Sequence, residues 1–183
     1  MGNTLFTYEE ALEQTGSKHL LSKAVADGSI HKLDRGLYSS VAHPDPLAVA
    51  HIQYPEGVIT MDSALYEYGL TDIMPDEVHI ATAREATRIV KPGYRQYFIE
   101  GNLLNPGTTE VEKPDGTVRL YDKERLLVEV MRRQASIPLD YYKEVIGSYR
   151  RIAEELDIRL IEDYIALFKR NEFMFDILQR EVL

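Results

Sequence analysis

Lys18, His19, Ser22 and Lys23 are spaced to share one face of a helix at about 100° per residue, opposite Leu21, Ala24 and Val25. Lys32 and Arg35 follow in a short segment with hairpin character. These residue types suit contact with a nucleic acid, because ammonium and guanidinium groups pair with phosphates while imidazole and hydroxyl groups bond to base edges. On this reading Lys18 and Lys23 meet phosphates, His19 and Ser22 reach bases, and Lys32 and Arg35 touch the backbone. The other reading is an amphipathic packing module whose polar face is simply solvated. A second group, Arg84, Arg88, Lys91 and Arg95, is the strongest basic stretch of the chain, with only Glu85 opposing it. It reads as a solvated loop or as an anion or nucleic-acid site.

Enzymatic chemistry finds little support in the residues. Cysteine is absent, which removes disulfides, thiolate nucleophiles and cysteine-ligated metals. There is no Walker loop, G-x-G-x-x-G, H-E-x-x-H or G-x-S-x-G. His19, His31, His43, His51 and His79 are scattered without a zinc spacing. The nearest approach to catalysis is the nucleotidyltransferase pattern, a Gly-Ser turn followed by paired carboxylates that hold magnesium. Gly16-Ser17 leads to Asp27, and Gly147-Ser148 leads to Asp157, but each lacks the second carboxylate, and Arg159 would repel the metal. No catalytic residue, metal or cofactor is expected.

The elements that must position the basic residues are legible in the pattern. Thr7 and Glu10 form a capping box, Tyr8, Ala11 and Leu12 share a face, and Gly16 ends this first helix. Ser17 caps a second helix that runs to about Asp27 and stops at Gly28. Ile30–Leu33, the Asp34-Arg35-Gly36 turn and Leu37–Ser39 read as a hairpin. Helix, turn, helix and basic-tipped hairpin is the order of a winged helix-turn-helix, whose second helix enters the major groove. The usual first helix is missing, since six residues before Thr7 cannot supply one.

Downstream, Asp45-Pro46 opens a short helix to about Tyr54, which Pro55-Glu56-Gly57 breaks. Val58–Met61 reads as a strand, Asp62 or Ser63 as a helix cap, and Gly69 as that helix's end. Residues 78–82 and 96–99 read as strands, and residues 111–113 and 118–121 flank a Pro114-Asp115-Gly116 turn. A helix from Asp122 to about Arg133 buries Leu126, Leu127, Val130 and Met131. Beyond Pro138, Tyr142, Val145, Ile146, Tyr149, Ile152, Ala153 and Leu156 keep helical spacing. Two more apolar faces follow, Ile161, Tyr164, Ile165 and Phe168, then Met174, Ile177 and Leu178. The expected fold is α+β: a winged helix-turn-helix over residues 1–43, then a mixed α+β domain over 44–183 ending in a helical bundle. Phe173, Met174 and Phe175 hint at apolar surface for a partner.

The 183-residue chain carries a formal charge of −9, which argues against coating nucleic acid with the whole surface. Residues 1–43 hold four Lys/Arg against five Asp/Glu, whereas residues 44–183 hold 17 against 25. Any nucleic-acid contact must therefore come from a local face. No apolar run approaches the roughly 18–20 residues of a membrane span, and MGNTLFTYEE has no secretory pattern. A cytoplasmic protein without membrane contact is expected.

Lys32-Leu33-Asp34-Arg35-Gly36-Leu37-Tyr38 resembles the arginine-glycine-apolar-tyrosine wing of the AbiEi antitoxins of bacterial abortive-infection (type IV toxin–antitoxin) systems. Ile59 to Leu70, ITMDSALYEYGL, is similar to the opening of that family's second domain. Glu124-Arg125-Leu126-Leu127 resembles its ERTL helix start, with Leu126 in place of threonine. The resemblance implies a transcriptional regulator that is not an enzyme. It would repress its own operon through a winged helix and counteract a nucleotidyltransferase toxin in phage defence. It places Ser17, Lys18, His19, Ser22, Lys23, Lys32 and Arg35 at DNA-facing positions, with Arg84, Arg88, Lys91 and Arg95 as a second basic surface. The implied partners are operator DNA upstream of its own gene, bound as a homodimer or cooperatively, and a cognate toxin. The competing expectation is a protein-interaction module that binds a partner through its C-terminal helices without touching DNA.

Overall fold

A computed structural model describes residues 4–169 and 171–183. The chain divides into two compact units, Met1–Pro55 with Val111–Val118, and Glu56–Glu110 with Arg119–Leu183. The expected boundary falls after residue 43, whereas the helix after Asp45 groups with the first unit.

In the first unit, β1 (Leu5–Thr7) leads directly into α1 (Tyr8–Thr15), and Gly16 separates this from α2 (Lys18–Ala26). Both halves of the capping box form: Thr7 N donates to Glu10 Oε2 at 2.6 Å, and Glu10 N donates to Thr7 Oγ1 at 3.3 Å. Gly16 takes φ +84, the left-handed conformation that glycine adopts without a Cβ clash. The hairpin β2 (His31–Asp34) and β3 (Leu37–Ser39) follows, then α3 (Pro46–Gln53), whose Asp45 cap accepts from Leu47 N at 2.8 Å. The sheet order is β1-β3-β2 with both pairings antiparallel. Phe6, Ala11, Leu21, Ile30 and Tyr38 form the small core, with Leu12, Ala24 and Val25 packed against it. Residues 111–118 join this unit through Asp45, which pairs with Lys113 Nζ at 2.9 Å and donates its N–H to Asp115 Oδ2 at 2.6 Å.

The segment up to Thr7 is thus a strand from Leu5, preceded by a bend at Thr4; residues 1–3 lie outside the described residues. Three residues are too few to show alternation, and the pairing partner of Leu5, Ser39, is far along the chain.

The second unit is built on β4 (Val58–Ile59), α4 (Met61–Glu67), β5 (Val78–Ala83), β6 (Tyr94–Ile99) and α5 (Gly101–Leu104). Next come β7 (Thr108–Lys113) and β8 (Gly116–Tyr121), of which residues 111–118 belong to the first unit, then α6 (Lys123–Arg132), α7 (Leu139–Arg151), α8 (Ile158–Ala166) and α9 (Glu172–Ile177). The five-stranded sheet has the order β6-β5-β4-β8-β7, with β5 and β6 parallel, β4 and β8 parallel, and β4 and β5 antiparallel. Ile59, Ile80 and Leu120 from the sheet and Leu126, Leu127, Met131, Ile161 and Ile165 from the helices are fully buried. The chain is a mixed α+β protein.

Three local expectations need correction. The strand expected over Val58–Met61 is only Val58–Ile59, because Met61 turns into α4 with φ +43. The cap of α4 is Thr60, not Asp62 or Ser63, which lie inside the first turn. The apolar stripe expected to run to Leu156 breaks after Arg151, where a 3-10 turn takes Ala153–Glu155. Spacing alone cannot separate a helix end from a turn that keeps its apolar residues pointed at the same core.

Candidate nucleic-acid interface

The expected DNA-facing residues lie on two elements of the first unit. Ser17 Oγ accepts from Leu20 N at 3.2 Å and so caps α2. Lys18, His19, Ser22 and Lys23 are exposed along the helix it starts, while Leu21 on the other face is buried. Lys32 on β2 and Arg35 in the turn are also exposed. None of Lys18, Lys23, Lys32 and Arg35 takes part in the side-chain ion pairs found among the described residues. An exposed cation without a fixed carboxylate partner is what a phosphate contact needs.

The wing is shaped locally. The β2–β3 register shifts between Lys32 and Asp34, a bulge, and Gly36 turns the chain at φ +77. Asp34 Oδ1 accepts from Arg35 N at 2.7 Å, and Asp34 Oδ2 accepts from Gln53 Nε2 at 2.9 Å. These bonds pin the turn while the Arg35 side chain extends into solvent. Leu20, which has no role in the sequence pattern, is 48% exposed beside this polar face. An apolar residue bordering a row of polar ones is the only signal it gives.

The second basic group is not gathered into one site. Because β5 and β6 are parallel, their connection must run back along the full strand length. Arg84 follows the end of β5, whereas Arg95 stands opposite His79 near its start, roughly 16 Å away at about 3.3 Å per residue. Gln96 ties the returning loop down, accepting from Ile89 N at 2.7 Å and donating to Thr82 Oγ1 at 2.8 Å and Thr87 O at 3.2 Å. Lys91 lies 6.0 Å from the Tyr94 ring centre. The four cations are strung along this route.

Two polar constellations of the second unit escaped sequence reading. His79 is buried, and its Nδ1 accepts from Asp62 N at 3.3 Å with the Tyr97 hydroxyl at 3.2 Å, which leaves the proton on Nε2. Asp62 Oδ2 lies 3.7 Å from that Nε2, and Asp62 Oδ1 accepts from the Tyr141 hydroxyl at 3.2 Å. Burial holds the imidazole below its ordinary value, against the nearby Asp62 carboxylate.

The other constellation centres on the ERLL sequence. Arg125 is fully buried and donates from Nη1 to Pro106 O at 2.8 Å and from Nη2 to Leu103 O at 2.9 Å and Glu129 Oε1 at 2.9 Å. Glu129 Oε2 accepts from Arg132 Nη2 at 2.7 Å and Arg133 Nε at 3.3 Å. Arg125 also stacks over the Tyr121 and Phe168 rings, at 4.6 and 5.1 Å. This arginine therefore clamps the α5–β7 connection onto α6, a structural task.

Among the described residues no group of three or more His, Asp and Glu side chains is arranged to hold a metal ion. Gly147-Ser148 lies within α7, where Ser148 Oγ donates to Glu144 O at 3.2 Å, so it forms no phosphate-binding turn. Gly16-Ser17 does turn, but Asp27 accepts from Ser29 N and Oγ at 3.0 and 2.7 Å in a helix-ending turn. The C-terminal apolar stripes are mostly spent on the core: Tyr142, Val145, Ile146, Tyr149, Met174, Ile177 and Leu178 are buried, with Phe173 left exposed. Among the described residues no helix is long and apolar enough to cross a membrane. No protein-family model matches the chain, and a search of curated proteins finds no match either.

Proposed function

We propose that the chain is a DNA-binding transcriptional regulator and antitoxin of the AbiEi type, with residues 4–43 serving as a winged helix-turn-helix. The observation that carries this reading is the exposed polar face of α2, backed by an apolar face on a three-stranded sheet whose hairpin extends two exposed cations. The strand β1 supports it further, since it pairs with β3 and adds a third strand to the hairpin sheet. In this account α2 enters the major groove, with Lys18 and Lys23 on phosphates and His19 and Ser22 at base edges. Leu20 is placed to meet a thymine methyl group. Lys32 and Arg35 hold the flanking backbone.

The operator lies upstream of the protein's own gene, and binding is cooperative or dimeric, because one small module makes few base contacts. The second unit carries the antitoxin activity against a nucleotidyltransferase toxin. The test is the double substitution Lys23→Ala with Arg35→Ala in a duplex-binding titration. Each lost phosphate contact should weaken all sequences alike and shallow the salt slope by about 1. Unchanged affinity and slope would remove α2 and the wing from the DNA face. Co-purification of a stoichiometric protein partner that survives high salt, with no DNA binding, would favour an interaction module instead.

A further inference from the structure

A recess of about 620 Å³ opens in the second unit, lined among others by Arg84, Phe98, Asn102, Arg132, Phe168 and Lys169. Its size falls within the roughly 300–1,000 Å³ of small-ligand sites. Three of the lining side chains are cationic and Glu100 is the one acid, a local positive balance on a chain of charge −9. Arg84 and Glu100 stand 4.0 Å apart, both well exposed, a pair too weakly held to keep Arg84 from a stronger anion. The Arg132 side chain is 29% exposed, with its Nη2 committed to Glu129. The two aromatic rings differ in availability. Phe168 is covered by the Arg125 and Arg132 guanidinium groups at 5.1 and 4.9 Å, whereas Phe98 on the edge strand β6 is 45% exposed.

We infer that this recess binds a nucleoside phosphate, with the base stacked on Phe98 and the phosphates held by Arg84, Arg132 and Lys169. Cations alone would suit any anion; an open aromatic face beside them selects a ligand that is planar at one end and anionic at the other. Asn102 adds an amide that can both donate to and accept from a base edge. The proposal does not depend on the DNA-binding reading.

The full-length protein should be titrated calorimetrically with each of the four ribonucleoside triphosphates, with inorganic triphosphate, and with the free nucleosides. At least one nucleoside triphosphate should bind saturably, at least tenfold more tightly than inorganic triphosphate or its own nucleoside. Phe98→Ala should weaken that nucleotide by about 5- to 100-fold, the range of one lost stacking contact, and leave inorganic triphosphate unchanged. Arg84→Glu should weaken both by tenfold or more. Both substituted positions are exposed, so folding is retained, and a thermal melt checks this. Equal binding of inorganic triphosphate and nucleotide overturns the proposal. So does binding of a single-stranded oligonucleotide where no mononucleotide binds, or the absence of saturable binding at millimolar nucleotide.

Discussion

The Arg125 guanidinium and the Glu129 carboxylate meet at 2.9 Å, one helical turn apart on α6, and solvent reaches neither. Every remaining polar atom of that pair is answered nearby, by the carbonyls of Leu103 and Pro106 on one side and by Arg132 and Arg133 on the other. Such a pair is costly to break from one side, because the survivor is left charged in a low-dielectric interior. Glu129→Ala should therefore destabilise the protein by about 3–5 kcal/mol, read from urea unfolding. Loss of less than about 1 kcal/mol would mean that water or a rearranged partner replaces the carboxylate.

The same network sets an acid limit. Burial disfavours the charged form of Glu129, but Arg132, Arg125 and Arg133 outweigh it and hold the carboxyl below its ordinary value. A depressed carboxyl contributes stability that is complete above the unfolded value near 4.5 and is lost as pH falls through the folded one. Unfolding free energy should fall steeply below about pH 4.5, and Glu129→Gln should flatten that part of the profile. An unchanged slope in Glu129→Gln would assign the acid limit to other carboxylates.

Gly107 packs against the clamp. Its φ is +81, and a Cβ there would collide with Arg125 Cβ, a contact that must be relieved by moving backbone. Gly107→Ala should cost about 1–3 kcal/mol from crowding, beyond the strain of the left-handed conformation. A melting temperature within a degree of the parent would contradict the geometry.

His79 gives a second pH dependence. Its imidazole is held below its ordinary value by burial, and Arg95 adds to this, while the Asp62 and Glu77 carboxylates oppose it. The unfolded chain thus binds the proton first, so stability is full above about pH 6.5 and declines as pH falls toward the folded value. The imidazole resonances of His79 should titrate below 6.5 in NMR, and His79→Gln should remove the decline near pH 6. A titration above 6.5 would show that Asp62, not burial, governs the site.

Ser17 separates capping from DNA contact. Ser17→Ala should lower stability by about 1 kcal/mol through the lost bond to Leu20 N, whereas Ser17→Asp keeps the cap. Ser17→Asp should nevertheless weaken duplex binding severalfold, because it sets a carboxylate against phosphate. Undiminished binding by Ser17→Asp would place the helix start away from the duplex.

Much of this arrangement is legible in local chemistry. The capping box at Thr7, the glycine stop at Gly16, the Ser17 and Asp45 caps and the Gly36 turn each depend on residues within a few positions. The apolar face of α2 was readable for the same reason. What stayed hidden depends on distant partners. β1 becomes a strand only by pairing with β3, and nothing local to Arg125 shows that Leu103, Pro106 and Glu129 surround it. The basic stretch from Arg84 to Arg95 reads as a cluster in sequence, but the parallel pairing of β5 and β6 draws it out along the sheet.

The most direct measurement of the central claim is a titration of the purified protein with the duplex upstream of its gene and with a scrambled duplex, at two salt concentrations. A regulator of its own operon should prefer the upstream duplex by at least about a thousandfold, with affinity for both falling steeply as salt rises. Equal affinity for the two duplexes, or binding indifferent to salt, would contradict it and turn attention to the second unit and a protein partner.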